Sequence, residues 1–331
     1  ITFNFSKKWN FDLKKFETFP YPISWKEKLK NSININPNEL KSLDKHYTEF
    51  LATKINLFIK NHKIKKLDAV SSHGHTVFHN PEQGITIQIG NLEDLSSLIN
   101  KKIIVNFREQ DVKLGGQGAP LVPIGDKLLF PEYKCFLNLG GFANLSLKEE
   151  KNFVAYDICA VNTILNNLSL KLGKDYDFNG NFAKKGNIIG ELLNELNKID
   201  FYKKSNPKSL AVEWNKKFIW PLIYKYKSYS INDLLRTYVE HISIQISKAF
   251  KKKQKVLVTG GGAFNKFLIS EIKNKSLAKF IIPEPEIINY KEAIIFGFLG
   301  VLKLRNEINC LSSITGAKKD HSSGVIFELK K

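Results

Sequence analysis

Residues Lys134–Leu147 read KCFLNLGGFANLSL. Two short, mainly apolar runs flank Gly140-Gly141, the pattern of two antiparallel strands closed by a tight turn. FVAYDIC (Phe153–Cys159) follows as a third strand, and the apolar spacing from Val161 through Leu172 is helical. Further on, KVLVTGGGAFNKFLISEI (Lys255–Ile272) reads as a strand, a triple-glycine turn and a helix. Strand–turn–helix units mixed with hairpins imply an α/β fold of two lobes.

Upstream, ITFNF (Ile1–Phe5) and LKKFETFPYP (Leu13–Pro22) read as strands, with Pro20 and Pro22 closing the pair. From Trp25 to about His62 the apolar spacing is helical, and Asn36 before Pro37, supported by Glu39, reads as an N-cap. LDAVSSHG is a short strand running into a polar loop, GITIQIG a strand, LEDLSSLI a helix and KKIIVNF a buried strand. IIGELLNELNKI and INDLLRTYVEHISIQISKAF are helices, FIIPEPE a short strand, and NYKEAIIFGFLGVLKLR a closing helix. No repeat of solenoid length interrupts this order.

A chain of 331 residues exceeds one comfortable core, which predicts two domains. The net charge of +19 would suit a nucleic-acid partner or an anionic substrate. The lysines are scattered in pairs, however, and only KAFKKKQK (Lys248–Lys255) is a run, placed where it complements a helix C-terminus. The favoured reading is therefore a solvated lysine-rich surface, with no nucleic-acid and no membrane partner. No apolar run reaches the ~18 residues of a membrane span. Cys135, Cys159 and Cys310 lie far apart without metal-ligand spacing, which points to a reducing cytoplasm. The chain opens at Ile1 within a strand and contains no Met, so it reads as a fragment.

Two glycine turns close predicted strands. In LNLGG (Leu137–Gly141) and VTGGGAFN (Val258–Asn265), backbone N–H groups can face an anion with no Cβ in the way. Neither turn is a GxxxxGK[ST] loop nor a dinucleotide fingerprint. Singly each reads as a tight connection; together in one lobe they form a nucleotide cradle. A third glycine-rich stretch, NFREQDVKLGGQGAPLVP (Asn106–Pro123), leaves the buried strand KKIIV as an irregular, charged loop, where open α/β sheets place ligands.

LNLGGFANLS, AYDICAVN, VTGGGAFNKFL, YKEAIIF and above all FREQDVKLGGQGAPLVP resemble the anhydro-N-acetylmuramic acid kinase family, from about Ser72 to Ile326. The resemblance implies the actin-like ATPase fold: two ribonuclease-H-like lobes with a ligand cleft between them. It divides the chain into residues 1–132 with 311–331 as a sugar-side lobe, and 133–310 as the ATP-binding lobe. The family's N-terminal SGTSxDG phosphate hairpin has no counterpart in this sequence. That absence keeps open a second reading, a sugar- or nucleotide-binding relative without turnover.

By resemblance, Asn138, Gly140, Gly141 and Asn144 belong to a phosphate-binding hairpin, and Thr259, Gly260, Gly261, Gly262 and Asn265 to an adenosine loop. The catalytic base falls on Asp157, although Cys159-Ala160-Val161 departs from the family's Gly-Pro-Gly. Read from residues alone, the favoured role of Asp157 is an N-cap for the helix from Val161. Substrate contacts fall on Arg108, Asp111, Gly116, Gln117, Gly118, His75, Thr76, Asn162 and Glu292. Arg108 can bind a carboxylate bidentately or pair with Glu109 or Asp111, and Glu292 can serve a sugar or simply suit a helix start. His73, His75 and His79 could hold zinc, but loop or substrate contacts are favoured, and no metal ligand is assigned. The implied partners are the amino sugar and ATP with Mg²⁺; the implied activity opens the anhydro bridge and phosphorylates O6. Family members are often dimers, and no stripe of this sequence fixes that.

Overall fold

The computed structural model describes residues 1–148, 153–205, 208–250 and 252–329, which leaves Lys251 of the basic run outside. Clustering by proximity gives two compact units, Ile1–Phe130 with Glu292–Lys331, and Pro131–Lys291. Residues 292–310, expected with the second lobe, therefore cluster with the first. The reason is visible in the helix Pro285–Leu304. A Cβ on Gly125 would stand 2.6 Å from Ile295, and Phe298 packs against Phe3 and Trp9 at 5.5 and 5.0 Å between ring centroids.

The first unit begins with β1 (Thr2–Phe5) and β2 (Trp9–Asp12), an antiparallel pair with Phe5 opposite Trp9. The partner strand thus lies upstream of the expected LKKFETFPYP, which has no regular structure. The prolines at 20 and 22 lack the N–H that a ladder needs. The long helix Pro37–Asn61 starts at a complete capping box: Asn36 Oδ1 accepts the N–H groups of Asn38 and Glu39, both at 3.0 Å, and Glu39 Oε2 accepts that of Asn36. Next come β3 (Val70–Ser71), β4 (His75–Asn80), β5 (Ile85–Ile89) and the fully buried β6 (Ile103–Val105). The SSHGHTVFHNP segment, expected as a polar loop after its opening strand, pairs antiparallel with β5 through β4. Its two polar ends hid the half-buried face carried by Val77.

The second unit holds β7 (Cys135–Leu139), β8 (Phe142–Lys148), β9 (Phe153–Ala160), β10 (Lys255–Thr259) and β11 (Lys279–Ile281) in one sheet, ordered β11-β10-β7-β8-β9. β7, β8 and β9 form an antiparallel meander, and β10 and β11 extend it in parallel beyond β7. This is the ribonuclease-H-like strand order. Leu137, Leu139 and Leu145 of the sheet pack with Ile164, Leu168, Leu235 and Tyr238 of the helices Asn162–Leu170 and Ile231–Ala249. Each fully buried Leu or Ile there contributes roughly 2 kcal/mol. Back in the first unit, β12 (Val325–Phe327) joins β6 antiparallel, giving the order β12-β6-β3.

Among the described residues no helix is long and apolar enough to cross a membrane. All three cysteines are free and buried.

Candidate active site

In the second unit the parallel pairing of β7 with β10 sets Thr259 opposite Asn138, so the two glycine turns emerge side by side at the carboxyl ends of adjacent strands. The fit is close. A Cβ on Gly260, whose φ is +80°, would meet Asn138 Oδ1 at 2.3 Å and the Leu139 carbonyl carbon at 2.7 Å. The tip of the other turn is pinned from below: the Gly141 carbonyl accepts the N–H groups of Val161 and Thr163 and the Thr163 hydroxyl.

After Gly260 a single 3-10 turn, Gly261–Phe264, precedes the helix Lys266–Lys275, rather than the helix starting at the glycines. Asn265, expected at the nucleotide, caps that helix by accepting the Leu268 N–H at 3.0 Å. Gly261, Gly262 and Asn265 line an open cavity of about 1070 Å³ together with Tyr176, Phe178 and Phe264. Asn162 also lines it, with its amide donating to the Leu139 carbonyl at 3.1 Å. Asn162, expected on the sugar side, thus stands on the wall shared with the adenosine-loop glycines.

Asp157 lies half-buried on β9. Its Oδ1 accepts the Asn144 side-chain amide at 3.0 Å, and its Oδ2 accepts the Leu210 N–H at 2.8 Å. The Asp157 N–H donates in turn to the Lys208 carbonyl, so residues 208–210 run beside the edge strand. The helix Asn162–Leu170 has Val161 as its N-cap residue, with no side-chain bond, which removes the capping reading of Asp157. Asn144, expected on the phosphates, stands directly opposite Asp157 and spends its amide there. The β8–β9 register shift next to Ala143 puts it in that position. No sequence signal marked the Leu210 N–H.

In the first unit the charged loop contains a helical turn, Glu109–Lys113. Glu109 pairs with Lys113 at 2.6 Å along it. Asp111, assigned by resemblance as a substrate contact, turns its carboxylate into the loop's own interior. It is fully buried; Oδ2 accepts the Gly118 N–H at 2.7 Å, and Oδ1 accepts the Thr315 hydroxyl at 2.7 Å and the Cys310 thiol at 3.0 Å. Gly116 is glycine for this carboxylate, since a Cβ would stand 2.2 Å from Asp111 Oδ2. Gly116 and Gly118 are buried, and Gln117 between them is exposed. Gly116 and Gly118 therefore serve the loop's own interior, and Gln117 between them is presented outward.

Among the described residues Arg108 does not take the alternative of pairing with Glu109 or Asp111. Its Nε donates to His73 Nε2 at 2.8 Å and its Nη1 to the Gly118 carbonyl at 2.7 Å. Burial lowers the pKa of Arg108, and nearby Glu292 raises it. Glu292 is exposed and more than a turn inside the helix Pro285–Leu304, so a helix-start role does not explain it. His75 is half-buried 6.1 Å from the Tyr47 ring, and Thr76 is half-buried within β4. His79 bonds the Thr86 hydroxyl at 2.9 Å. Among the described residues the trio close enough to hold a metal ion is Asp111, Cys310 and His321, within 4.8 Å, and not the three histidines. Its carboxylate is already met by Thr315, Cys310 and Gly118, and burial pushes the Cys310 thiol pKa up.

A family model described as anhydro-N-acetylmuramic acid kinase matches residues 3–329. The anhydro-N-acetylmuramic acid kinase of Mannheimia succiniciproducens is 34% identical, with 93% of this chain and 89% of that protein aligned. That of Francisella tularensis subsp. novicida is 31% identical, over 91% and 87%. Among solved structures, the activator of the 2-hydroxyisocaproyl-CoA dehydratase from Clostridium difficile with bound ADPNP is similar at a TM-score of 0.37 and 15% identity, covering 67% of this chain and 87% of that one. None of these matches supports a relative without turnover. On the family match and the two kinase relatives, the chain belongs to the anhydro-N-acetylmuramic acid kinase family.

Proposed function

We propose that this protein hydrolyses the internal bridge of 1,6-anhydro-N-acetylmuramic acid and phosphorylates the freed O6 with ATP, giving N-acetylmuramic acid 6-phosphate and ADP in cell-wall recycling. The observation that carries this reading is the held carboxylate of Asp157, fixed by Asn144 and the Leu210 N–H on the meander that bears the glycine turn. Each carboxylate oxygen spends one lone pair on those donors and keeps another for water.

Asp157 takes a proton from the water as its oxygen bonds to C1. The C1–O6 bond breaks, and the O6 electron pair goes to phosphorus, so no separate acid is needed. ATP supplies the phosphoryl group. The turn N–H groups of Gly141 and Gly260–Gly262 suit its phosphates, and the cavity beside Gly261 and Gly262 suits its nucleoside. Mg²⁺ would enter with the phosphates, whose oxygens are its natural ligands. Arg108 offers its remaining N–H groups to the lactyl carboxylate, and exposed Gln117 and Glu292 with half-buried His75 and Thr76 are the polar groups assigned to the sugar.

The test is incubation with ATP, Mg²⁺ and the anhydro sugar. ADP and a 6-phosphosugar should appear together, and Asp157→Asn should reduce kcat by roughly 10²–10⁴-fold. Release of ADP without the phosphosugar, or full activity in Asp157→Asn, overturns the reading.

A further inference from the structure

Arg108 owes its position to a histidine. His73 Nε2 lies 2.8 Å from Arg108 Nε, and His73 Nδ1 lies 2.9 Å from the Gly74 carbonyl oxygen. A guanidinium Nε–H can only donate, so His73 Nε2 must carry a lone pair; a carbonyl can only accept, so Nδ1 must carry the proton. The two contacts together require one tautomer of the neutral imidazole. Phe296 closes the site, its ring edge-on to His73 at 4.6 Å. The Gly118 carbonyl takes Nη1, and no hydrogen bond occupies Nη2 among the described residues.

We propose that His73 is a positioning residue for Arg108: neutral and protonated at Nδ1, it fixes the guanidinium through Nε so that Nη2 faces the sugar's carboxylate. This rests on the reading of Arg108 as the carboxylate site. Protonating His73 would put a donor against a donor and a cation beside a cation. The charged or titratable groups that face His73 are Arg108 and His75, which disfavour its protonation, and Glu292, which favours it; burial is the largest influence and keeps its pKa below the usual 6.5. Sugar binding should then weaken in acid as His73 takes its proton, independently of Asp157.

The experiment is steady-state kinetics of the intact protein with both substrates varied. His73→Phe should raise the sugar KM by roughly tenfold or more, the loss of one charged hydrogen bond, with kcat and the ATP KM little changed. His73→Gln keeps an acceptor oxygen that does not titrate. It should restore the sugar KM and abolish the acid-side rise in KM expected of the natural protein. If Arg108→Lys leaves the sugar KM unchanged, the carboxylate reading itself fails. If Arg108→Lys raises it and His73→Phe does not, only the positioning role is overturned. Should His73→Phe not fold, nitrogen NMR of the natural protein decides, since an Nε2–H tautomer at His73 excludes the contact with Arg108.

Discussion

Asn144 and Asp157 face each other across β8 and β9, and the Asn144 amide reaches Asp157 Oδ1 at 3.0 Å. The pair lies next to the register shift, so the strand geometry turns the carboxylate as well as carrying it. Asn144→Ala would remove one of two donors and leave Asp157 free to rotate about the Leu210 contact. A misoriented base typically loses on the order of 10- to 100-fold in rate. The expected result is a fall of that size in kcat with the ATP KM unchanged; a raised ATP KM with normal kcat would return Asn144 to the phosphates.

The triple glycine separates into residues that the fold needs and one whose neighbours leave room for a side chain. Gly260 is in the left-handed region with Leu139 backbone against it, so Gly260→Ala should lower thermal stability as well as activity. At Gly261 a Cβ would find nothing nearer than Asn162 Nδ2 at 3.8 Å, and the residue is exposed on the cavity wall. Gly261→Val should therefore unfold at the natural temperature yet bind ATP at least roughly tenfold more weakly by calorimetry, the loss expected when a ligand's close approach is blocked. Unchanged ATP affinity in Gly261→Val would remove this cavity as the nucleotide site.

Asp111 predicts the opposite behaviour in the first unit. Gly116→Ala puts a methyl 2.2 Å from its carboxylate and must displace either the loop or the Gly118 and Thr315 bonds. Overpacking of this kind destabilises by about 1–3 kcal/mol. A drop of several degrees in Tm should accompany any loss of activity. A fully stable Gly116→Ala enzyme with a high sugar KM would instead favour the substrate contact that the resemblance assigns to Gly116.

What the sequence shows and hides follows from range. Local signals read well: the Asn36 capping box, the turn at Gly140-Gly141 and the buried run before Asn106 need only neighbours within a few residues. Asp157 was found by resemblance to a motif, because an acid at a strand end is also an ordinary helix cap. The partners of the site residues were hidden. Leu210 reaches Asp157 across 53 positions and Thr315 reaches Asp111 across 204, and no local pattern encodes such pairings. Asp111 and Gly116 show the consequence: nothing in the loop's sequence tells that the glycine is packed against the carboxylate.

His241 gives stability a defined response to pH. It is fully buried in the helix Ile231–Ala249, bonded through Nδ1 to Asn197 Oδ1 at 2.8 Å and through Nε2 to the Tyr202 hydroxyl at 3.0 Å. Burial, helped by Lys248, depresses its pKa from 6.5 to about 3. The unfolded chain takes a proton at about pH 6.5 that the folded chain refuses until about pH 3. The folded state is therefore unaffected by this group above pH 6.5 and loses stability as pH falls through that window, by on the order of 1.4 kcal/mol per pH unit. Urea unfolding at pH 7 and pH 5 should differ by roughly 2 kcal/mol from His241 alone. His73, His75 and His79 also have lowered pKa values and act in the same direction, so the decisive quantity is the change in slope on substitution. His241→Gln, which cannot titrate, should flatten the acid side of the profile whatever it does to stability at pH 7; an unchanged slope would mean that the buried imidazole takes its proton as readily in the native protein as in the unfolded chain.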